Sequence, residues 1–372
     1  MPEAIQARTE ASPAAPSVLA QLSRLDRFLP IWIALAMAAG LALGRGFPGL
    51  NAQLDRVRVD GTSLPIAIGL LGMMYPVLAR VRYDRLRDVG TDRPMLVSSL
   101  LLNWIVGPAL MFALAWVFLP DLPEFRTGLI LIGLARCIAM VLIWNALACG
   151  DGEAAAVLVV LNSIFQVAAY AVLGHFYLTL LPGWLGLETA AAEFSTWAIA
   201  RSVLIFLGVP LVIGFLTSLV ARRRRGDAWY EQVFLPRIGP LALYSLLFTI
   251  VILFAIQGDA ITSRPLDVAR IAVPLVAYFA VMWTAAYVWG RVQGLPYPKT
   301  ATLAFTAAGN NFELAIAVAI GTFGITSGQA LAGVVGPLIE VPVLVALVYV
   351  SLWSRRRLFG EPTPAAAGRQ PS

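Results

Sequence analysis

The stretch Gly133-Leu134-Ala135-Arg136-Cys137-Ile138-Ala139-Met140 places a guanidinium and a thiol side by side inside an apolar run. A second apolar run, Ala307-Ala308-Gly309-Asn310-Asn311-Phe312-Glu313-Leu314-Ala315, contains two amides and a carboxylate. An ionisable residue at bilayer depth is costly, so it is usually paired, faces a cavity and marks a ligand or ion pathway. The two interruptions therefore predict a transport site, with the second run supplying a partner for Arg136.

The composition predicts an integral membrane protein. Of the 372 residues, 59% are hydrophobic and 13% are charged, which leaves too few charges to coat a globule of this size. A helix needs roughly 20 apolar residues to cross a hydrocarbon core. Ten such runs can be placed, at residues 28–44, 64–79, 95–119, 127–149, 154–181, 196–220, 238–258, 268–293, 299–321 and 327–353.

The distribution of arginine and lysine predicts that both termini are cytoplasmic. With a cytoplasmic N-terminus, 19 of the 27 cations fall in cytoplasmic segments and six fall outside, while Arg136 and Arg201 lie within helices. Such an excess is typical of the cytoplasmic side of membrane proteins. A multi-pass protein of the cell (inner) membrane is therefore expected.

The ten runs divide into two sets of five. Residues 1–22 and 358–372 are expected to be disordered cytoplasmic tails, because they are rich in proline, alanine and polar residues. Between them we expect a first five-helix repeat at 23–195 and a second at 196–357. Because five is odd, the second repeat would be inverted relative to the first, as in many secondary transporters.

The interrupted fourth and ninth runs occupy matching positions in the two sets. Discontinuous helices at such positions point to a binding site at the membrane midplane, where freed backbone groups can serve a ligand. The predicted fold class is therefore an all-α polytopic membrane protein. It would have ten transmembrane helices as two inverted five-helix repeats, with discontinuous crossing fourth and ninth helices.

Four separated motifs follow one another within residues 25–357. They are Leu134 to Val141 with Trp144-Asn145 and Gly150-Asp151, Leu161 to Gln166, Phe305 to Ala315, and Gly336 to Val343. Together they resemble the Acr3 arsenite permeases of the bile acid/arsenite/riboflavin transporter superfamily. The resemblance implies extrusion of trivalent arsenic, and of antimony in some members, from the cytoplasm in exchange for protons.

Cys137 is interpreted as the arsenic ligand. Arsenite is a small neutral trihydroxide whose arsenic prefers soft sulfur ligands. A single thiol gives a reversible contact that permits turnover, and Arg136 is expected to activate it. A cysteine in a membrane helix is more often a small buried hydrophobe. That simpler role is assigned to Cys149, and no disulfide is expected between the two.

Two carboxylates are candidates for proton coupling. Glu313 is interpreted as the proton carrier, because burial and the charge of Arg136 act on a carboxylate in opposite senses. Its protonation could therefore follow the state of the site. Glu340, followed by Val341-Pro342, is a second intramembrane carboxylate. It could share the proton, or it could pair with Arg201 and hold helices together.

Further polar and aromatic residues are candidates for substrate binding. Asn310 and Asn311 could orient substrate hydroxyls or cap the half-helix that begins at Phe312. Asn162 lies one helical turn before Gln166, so both could line one cavity or join helices by hydrogen bonds. Trp144 could pack against the site or simply fill the interior.

Other functional classes lack their motifs. The sequence contains no metal-ligand spacing of histidine and glutamate, no nucleophile elbow and no phosphate-binding glycine loop, so neither an enzyme nor a cofactor is expected. Nucleic acid is not an expected partner. The expected partners are arsenite, protons and membrane lipid, with a cytoplasmic arsenical ATPase or metallochaperone as a candidate. The rival interpretation is a sodium-coupled carrier of a small organic anion from the same superfamily.

Overall fold

The described part of the protein is almost entirely helical. The computed structural model describes residues 28–47, 49, 58–59, 62–81, 92–138, 140–187, 195–263 and 265–360. The predicted tail at 1–22 and residues 361–372 of the predicted tail at 358–372 lie outside these residues. Six helices in the described ranges are long and apolar enough to cross a membrane: Arg93–Phe118, Gly152–Trp184, Thr196–Arg225, Asp227–Ile256, Pro265–Val292 and Gly328–Leu358.

Three shorter helices are also apolar, and they account for much of the remaining hydrophobic sequence. They are Ile31–Gly46, Leu64–Ala79 and Phe312–Phe323. Together with the six longer helices, they make the chain a multi-pass membrane protein. The predicted all-helical membrane class is thus confirmed.

The described residues of the first half contain eight α-helices and a small hairpin. In chain order these are α1 (Leu29–Gly46), β1 (Arg58–Val59), β2 (Thr62–Ser63), α2 (Leu64–Ala79), α3 (Arg93–Leu101), α4 (Gly107–Phe118), α5 (Pro123–Leu134), α6 (Met140–Leu147), α7 (Gly152–His175) and α8 (Leu181–Trp184). The two strands pair antiparallel. One π-helical turn, Leu102–Val106, joins α3 to α4, and another, Phe176–Leu180, joins α7 to α8.

The described residues of the second half contain eight further α-helices. Its elements are α9 (Thr196–Val203), α10 (Val209–Arg225), α11 (Asp227–Trp229), α12 (Leu235–Ser263), α13 (Pro265–Val292), α14 (Tyr297–Ala308), α15 (Phe312–Phe323) and α16 (Gly328–Leu358). Two π-helical turns, Leu204–Gly208 and Tyr230–Phe234, keep α9 continuous with α10 and α11 continuous with α12.

Every predicted apolar run lies on a helix or a pair of helices. The predicted interruptions are present, since α5 ends at Leu134 before α6 begins at Met140, and α14 ends at Ala308 before α15 begins at Phe312. Local sequence explains where α5 and α15 begin. Pro123 opens α5 where a missing N–H costs nothing, and Asn311 caps α15 by accepting the N–H of Leu314 at 3.0 Å.

The helices pack in two groups. In one group, α12 packs on α1 and α2, and α2 packs on α10. Glycines permit close approach here, since a Cβ at Gly40 would lie 2.7 Å from that of Phe254 and one at Gly214 would lie 2.9 Å from the backbone of Ala79. In the other group, α5, α13, α14, α15 and α16 pack on one another. The broken helices belong to this second group, and α15 contacts α2 of the first group.

Candidate functional site

The two helix breaks meet at a short backbone bridge. Arg136 and Asn310 form an isolated antiparallel bridge. The N–H of Cys137 donates to the carbonyl of Gly309 at 3.2 Å, and the N–H of Asn311 donates to the carbonyl of the residue before Arg136 at 3.1 Å. Backbone groups freed inside a membrane need internal partners. Each break therefore supplies partners for the other.

The side chain of Asn310 caps the C-terminus of α5. Its Nδ2 donates to the carbonyl of Ile132 at 2.8 Å and to that of Ala135 at 3.1 Å. Each of these carbonyls also accepts a backbone N–H, that of Ala135 in the first case and that of Asn311 in the second, so the amide is a second donor at the buried end of α5. The Oδ1 atom of Asn310 is buried and makes no hydrogen bond within the described residues.

The guanidinium of Arg136 performs the corresponding task from the other break. It donates to the carbonyl of Gly133 near the end of α5, and to that of Ala307 near the end of α14 at 3.5 Å. It also donates to the hydroxyl of Tyr278 on α13 at 2.7 Å. Within the described residues, no carboxylate forms an ion pair with Arg136. The partner that the second apolar run supplies for Arg136 is thus a carbonyl at a helix end, and not a carboxylate.

A narrow cleft of about 270 Å³, including its open mouth, lies beside the crossing. It is lined by Met74, Val77, Cys137, Ile138, Met140, Asn310, Asn311, Glu313 and Glu340. Residues from both helix breaks, from α2 and from α16 therefore share one surface. The cleft lies where the two helix groups meet, because α2 belongs to the first group and the other elements belong to the second.

Cys137 is buried at the inner wall of this cleft, with 4% of its surface exposed. Its sulfur accepts the N–H of Val141 at 3.3 Å, which places the thiol at the start of α6. Cys137 and Cys149 are not joined in a disulfide. Cys149, which is not among the residues lining the cleft, adopts a left-handed conformation with a φ of 56° at the end of α6.

Asn311 and Glu313 lie at the beginning of α15. Asn311 Oδ1 caps the helix, whereas its Nδ2 is buried and makes no hydrogen bond within the described residues. Glu313 occupies the first helical turn, where the helix dipole favours a negative charge, and it is half-buried. The predicted capping role of Asn311 is confirmed. Its Nδ2 group has no acceptor among the described residues and is free to donate to a ligand.

Glu340 approaches the cleft from α16 and is 4% exposed. Its carboxylate is close enough to Glu313 for their charges to interact, and it contacts the backbone of Asn310. One of its oxygens has no hydrogen-bond partner in the described residues. The alternative partner, Arg201, is exposed on α9 and is not among the groups that act on Glu340. Glu340 and Glu313 thus form a pair of carboxylates on one cleft.

Three predicted substrate-binding residues are not among those lining the cleft: Arg136, Asn162 and Trp144. All three are buried, at 0%, 2% and 0% exposure. Arg136 is held by helix-end carbonyls, and successive side chains of an extended segment point to opposite sides, so the neighbour of Cys137 faces away from the cleft. Gln166, one turn from Asn162, accepts the backbone N–H of Arg136 at 2.9 Å and fixes the break from α7.

A larger vestibule adjoins the cleft. Val77 and Ile138 line both spaces, and the vestibule of about 450 Å³ extends from them to Arg80, Leu142, Gly239 and Ala242. Its lining is apolar except for the guanidinium of the exposed Arg80. The cleft therefore opens toward the end of α2 and the beginning of α12.

Two features of the site were not predicted from the sequence. Tyr278 lies in an apolar run with no local signal that its hydroxyl meets Arg136. Thr302 on α14 donates to Asn145 on α6 at 2.7 Å and so joins the two broken helices a second time. Asn145 stands in one of the sequence motifs, and a search for its partner among hydroxyl residues of the ninth run could have suggested this bond.

Comparison with known proteins agrees with the motifs. Residues 67–264 match the family described as Sodium Bile acid symporter family. The chain is 57% identical over 354 residues to an arsenical-resistance protein Acr3 of Corynebacterium glutamicum, covering 95% of this chain and 96% of that protein. It is 32% identical over 336 residues to an Acr3 of Alkaliphilus metalliredigens, covering 88% and 92%. It is also 35% identical over 350 residues to an uncharacterized transporter of Synechocystis, covering 88% of each.

Proposed function

This chain belongs to the Sodium Bile acid symporter family and groups with the Acr3 arsenical-resistance proteins, and we propose that it extrudes arsenite from the cytoplasm in exchange for protons. It is a transporter rather than an enzyme. The observation that carries the proposal is the meeting of one thiol, Cys137, and two carboxylates, Glu313 and Glu340, on a single cleft at the helix crossing. The expected outcome for a cell is arsenic resistance.

The thiol supplies selectivity for arsenic. Trivalent arsenic is soft and binds sulfur in preference to oxygen, so a thiol separates arsenite from water and from small polyols. Cys137 is the one cysteine among the residues lining the cleft, so it can make a single arsenic–sulfur contact that is readily reversed. The unused groups Asn310 Oδ1 and Asn311 Nδ2 provide an acceptor and a donor for the arsenite hydroxyls. Antimonite, which is also thiophilic, is proposed as a second substrate.

The carboxylate pair supplies proton coupling. Two carboxylates whose charges interact on one cleft do not ionise independently, so together they can hold or release a proton as the cleft changes its occupant. A bound substrate can bias a two-state cycle only through a difference in affinity between the states. Proximity of Glu313 and Glu340 to Cys137 provides such a difference, because protonation alters the charge beside the arsenic ligand.

A sodium-coupled carrier of an organic anion is the alternative function. The position of Arg136 argues against it, since a fixed guanidinium already donates to the carbonyls at both helix ends. A sodium ion at the crossing would have to share those oxygens with a positive charge. An organic anion would also leave the Cys137 thiol without a chemical task.

We further propose the ten-span topology, with inverted repeats at 23–195 and 196–357 and with both termini in the cytoplasm of the cell (inner) membrane. The reciprocal meeting of α5 and α6 with α14 and α15 supports this arrangement, because each broken helix is the fourth of its set. The vestibule supports the orientation, since it opens beside Arg80, at the start of the arginine-rich loop. A cytoplasmic arsenical ATPase or metallochaperone remains a candidate partner.

Everted membrane vesicles test the function directly. An inward-acidic pH gradient is imposed in the absence of sodium, and uptake of arsenite is measured with and without a protonophore. We expect uptake that collapses when the protonophore is added and that competes with antimonite. Arsenite uptake that requires sodium, or uptake of a carboxylate anion instead of arsenite, would favour the alternative.

A further inference from the structure

The guanidinium of Arg136 lies in an oxygen-lined cradle at the helix crossing. Three oxygens accept its hydrogen bonds: the carbonyls of Gly133 and Ala307 and the hydroxyl of Tyr278. Arg136 is 0% exposed, and its Nε makes no hydrogen bond within the described residues. The cradle is separate from the thiol cleft, because none of these four residues lines that cleft.

The neighbouring helix leaves room for this guanidinium. A Cβ added at Gly107, the first residue of α4, would lie 2.8 Å from Nη1 of Arg136 and 3.0 Å from the Tyr278 hydroxyl. Contacts below 3.0 Å require one of the groups to shift, so any larger residue at this position would crowd the cradle. The backbone of Gly107 therefore closes the remaining side of the cradle, and the lack of a side chain there leaves space for the guanidinium.

The electrostatics of the cradle favour a cation. The C-terminal end of a helix carries a partial negative charge of roughly −0.5, and the ends of α5 and α14 meet here. Two such ends buried side by side repel each other unless a positive charge lies between them. No carboxylate among the described residues pairs with Arg136, so the charge of the guanidinium is offset mainly by these helix ends.

We propose that this cradle is a monovalent-cation site that is permanently filled by the chain's own Arg136. Carbonyl and hydroxyl oxygens are the ligands that alkali cations take in place of water. A tethered guanidinium supplies the same positive charge without dissociating, so the crossing stays assembled at any sodium or potassium concentration. Removal of the guanidinium leaves the three oxygens and the two helix ends in place, and the cradle then takes up Na⁺ or K⁺.

The binding test uses the full chain purified in detergent, and it does not depend on arsenite as substrate. Unfolding temperatures of wild type and Arg136→Met are measured in sodium, potassium and choline chloride at equal ionic strength. We expect sodium or potassium to raise the unfolding temperature of Arg136→Met by roughly 2–4 °C over choline, with saturation, and to leave wild type unchanged. Arg136→Lys keeps a tethered charge and should also show no ion-specific shift.

Two further variants separate the cradle from general salt effects. Tyr278→Phe in the Arg136→Met background removes one oxygen and should reduce the shift. Arg126→Met removes another buried arginine, whose Nη1 donates to the carbonyl of Pro120 at 2.7 Å in a turn rather than between two helix ends, and it should show no ion-specific shift. Equal unfolding temperatures of Arg136→Met in all three salts would overturn the proposal. Failure of Arg136→Met to fold in both sodium and potassium would also overturn it, because the ion should refill the cradle.

A transport measurement extends the test and rests on the proposed function. Wild-type arsenite uptake into everted vesicles should be the same in sodium, potassium and choline salts, whereas Arg136→Met should be active only with the alkali cation. A wild-type requirement for sodium would contradict the tethered cation. If wild type moved no arsenite at all, the proposed function would fail, while the salt-dependent unfolding would still decide the cradle.

Discussion

Arg136 and Asn310 face each other across the antiparallel bridge, and each side chain caps a helix on the far side of it. Arg136 follows α5 and reaches the carbonyl of Ala307 at the end of α14. Asn310 follows α14 and reaches the carbonyl of Ile132 near the end of α5. The two halves of the chain are thus joined at their breaks, and a shift of one break must displace the other.

Replacement of Asn310 by alanine should destabilise the crossing. The change removes the side-chain donor to the buried carbonyls of Ile132 and Ala135, which keep one backbone N–H each, and a lost hydrogen bond typically costs about 0.5–1.5 kcal/mol. Asn311→Ala removes a helix cap and should cost about 1 kcal/mol. Unfolding in detergent should therefore rank Asn310→Ala below Asn311→Ala and both below wild type. The reverse ranking would mean that the backbone N–H donors alone suffice at the end of α5.

Replacement of Gly309 by alanine should displace the thiol. A Cβ at this position would lie 2.8 Å from the Cβ of Cys137, and such overpacking typically costs about 1–3 kcal/mol. We expect weaker arsenite binding and an altered rate of Cys137 alkylation. Gly152→Ala is the matched control, because a Cβ there meets nothing within 4 Å. Equal alkylation and transport in both variants would show that the crossing accommodates an extra methyl group at Gly309 without displacing the thiol.

Replacement of Cys137 by alanine or serine should abolish arsenite efflux while leaving the protein inserted. Both changes are small for packing, but neither retains a soft ligand, so efflux should fall by at least about tenfold, equivalent to about 1.4 kcal/mol. Cys149→Ala should be nearly silent, since it lies outside the cleft lining and keeps its Cβ. Arsenite resistance at the wild-type level in Cys137→Ser cells with normal expression would contradict the thiol mechanism.

The sequence predicted features that depend on neighbouring residues in the chain better than features that depend on contacts between distant helices. The breaks near Arg136 and Asn310 were placed correctly, because small and polar residues interrupt long apolar runs there. The meeting of Cys137, Glu313 and Glu340 could be proposed from the motifs. Glu340 was predicted either to share the proton or to pair with Arg201, and the structure places it on the cleft with Glu313.

The orientation of Arg136 could not be predicted, because adjacency in sequence does not give adjacency of side chains. Adjacent side chains do not face each other even in a helix, and in the extended break Arg136 and Cys137 point to opposite sides. Activation of the thiol by Arg136 is therefore not supported by this geometry. Tyr278 shows the same limit, since its partner lies 142 residues away in the chain.

Cysteine labelling should show which side of the membrane the vestibule faces. In a Cys137→Ala/Cys149→Ala background, Ala242→Cys places a thiol on the vestibule wall. We expect a membrane-impermeant maleimide to label it in everted vesicles but not in right-side-out vesicles. Leu185→Cys, at a position with 57% exposure after α8, should show the opposite pattern. Labelling of Ala242→Cys from the outer side alone would reverse the proposed orientation.

The carboxylate pair should decide how protons drive the cycle. Glu313→Gln imitates the protonated carboxyl in shape and charge, so the cleft keeps its form but can no longer exchange a proton there. We expect loss of arsenite accumulation driven by an inward-acidic gradient in everted vesicles, with arsenite binding or exchange retained. Such a split separates coupling from binding, because a collapsed cleft would lose both.

Glu340→Gln then distinguishes a shared proton from a structural role. Glu340 contacts the backbone of Asn310 and interacts with the charge of Glu313, so its neutralisation also changes the ionisation of its neighbour. A pair that shares one proton should make the two single variants about equally defective, and the double variant should be no worse than either. Independent roles would instead give a mild Glu340→Gln defect that adds to that of Glu313→Gln. If Glu313→Gln accumulates arsenite at the wild-type rate and to the wild-type level, Glu313 is not the coupling group.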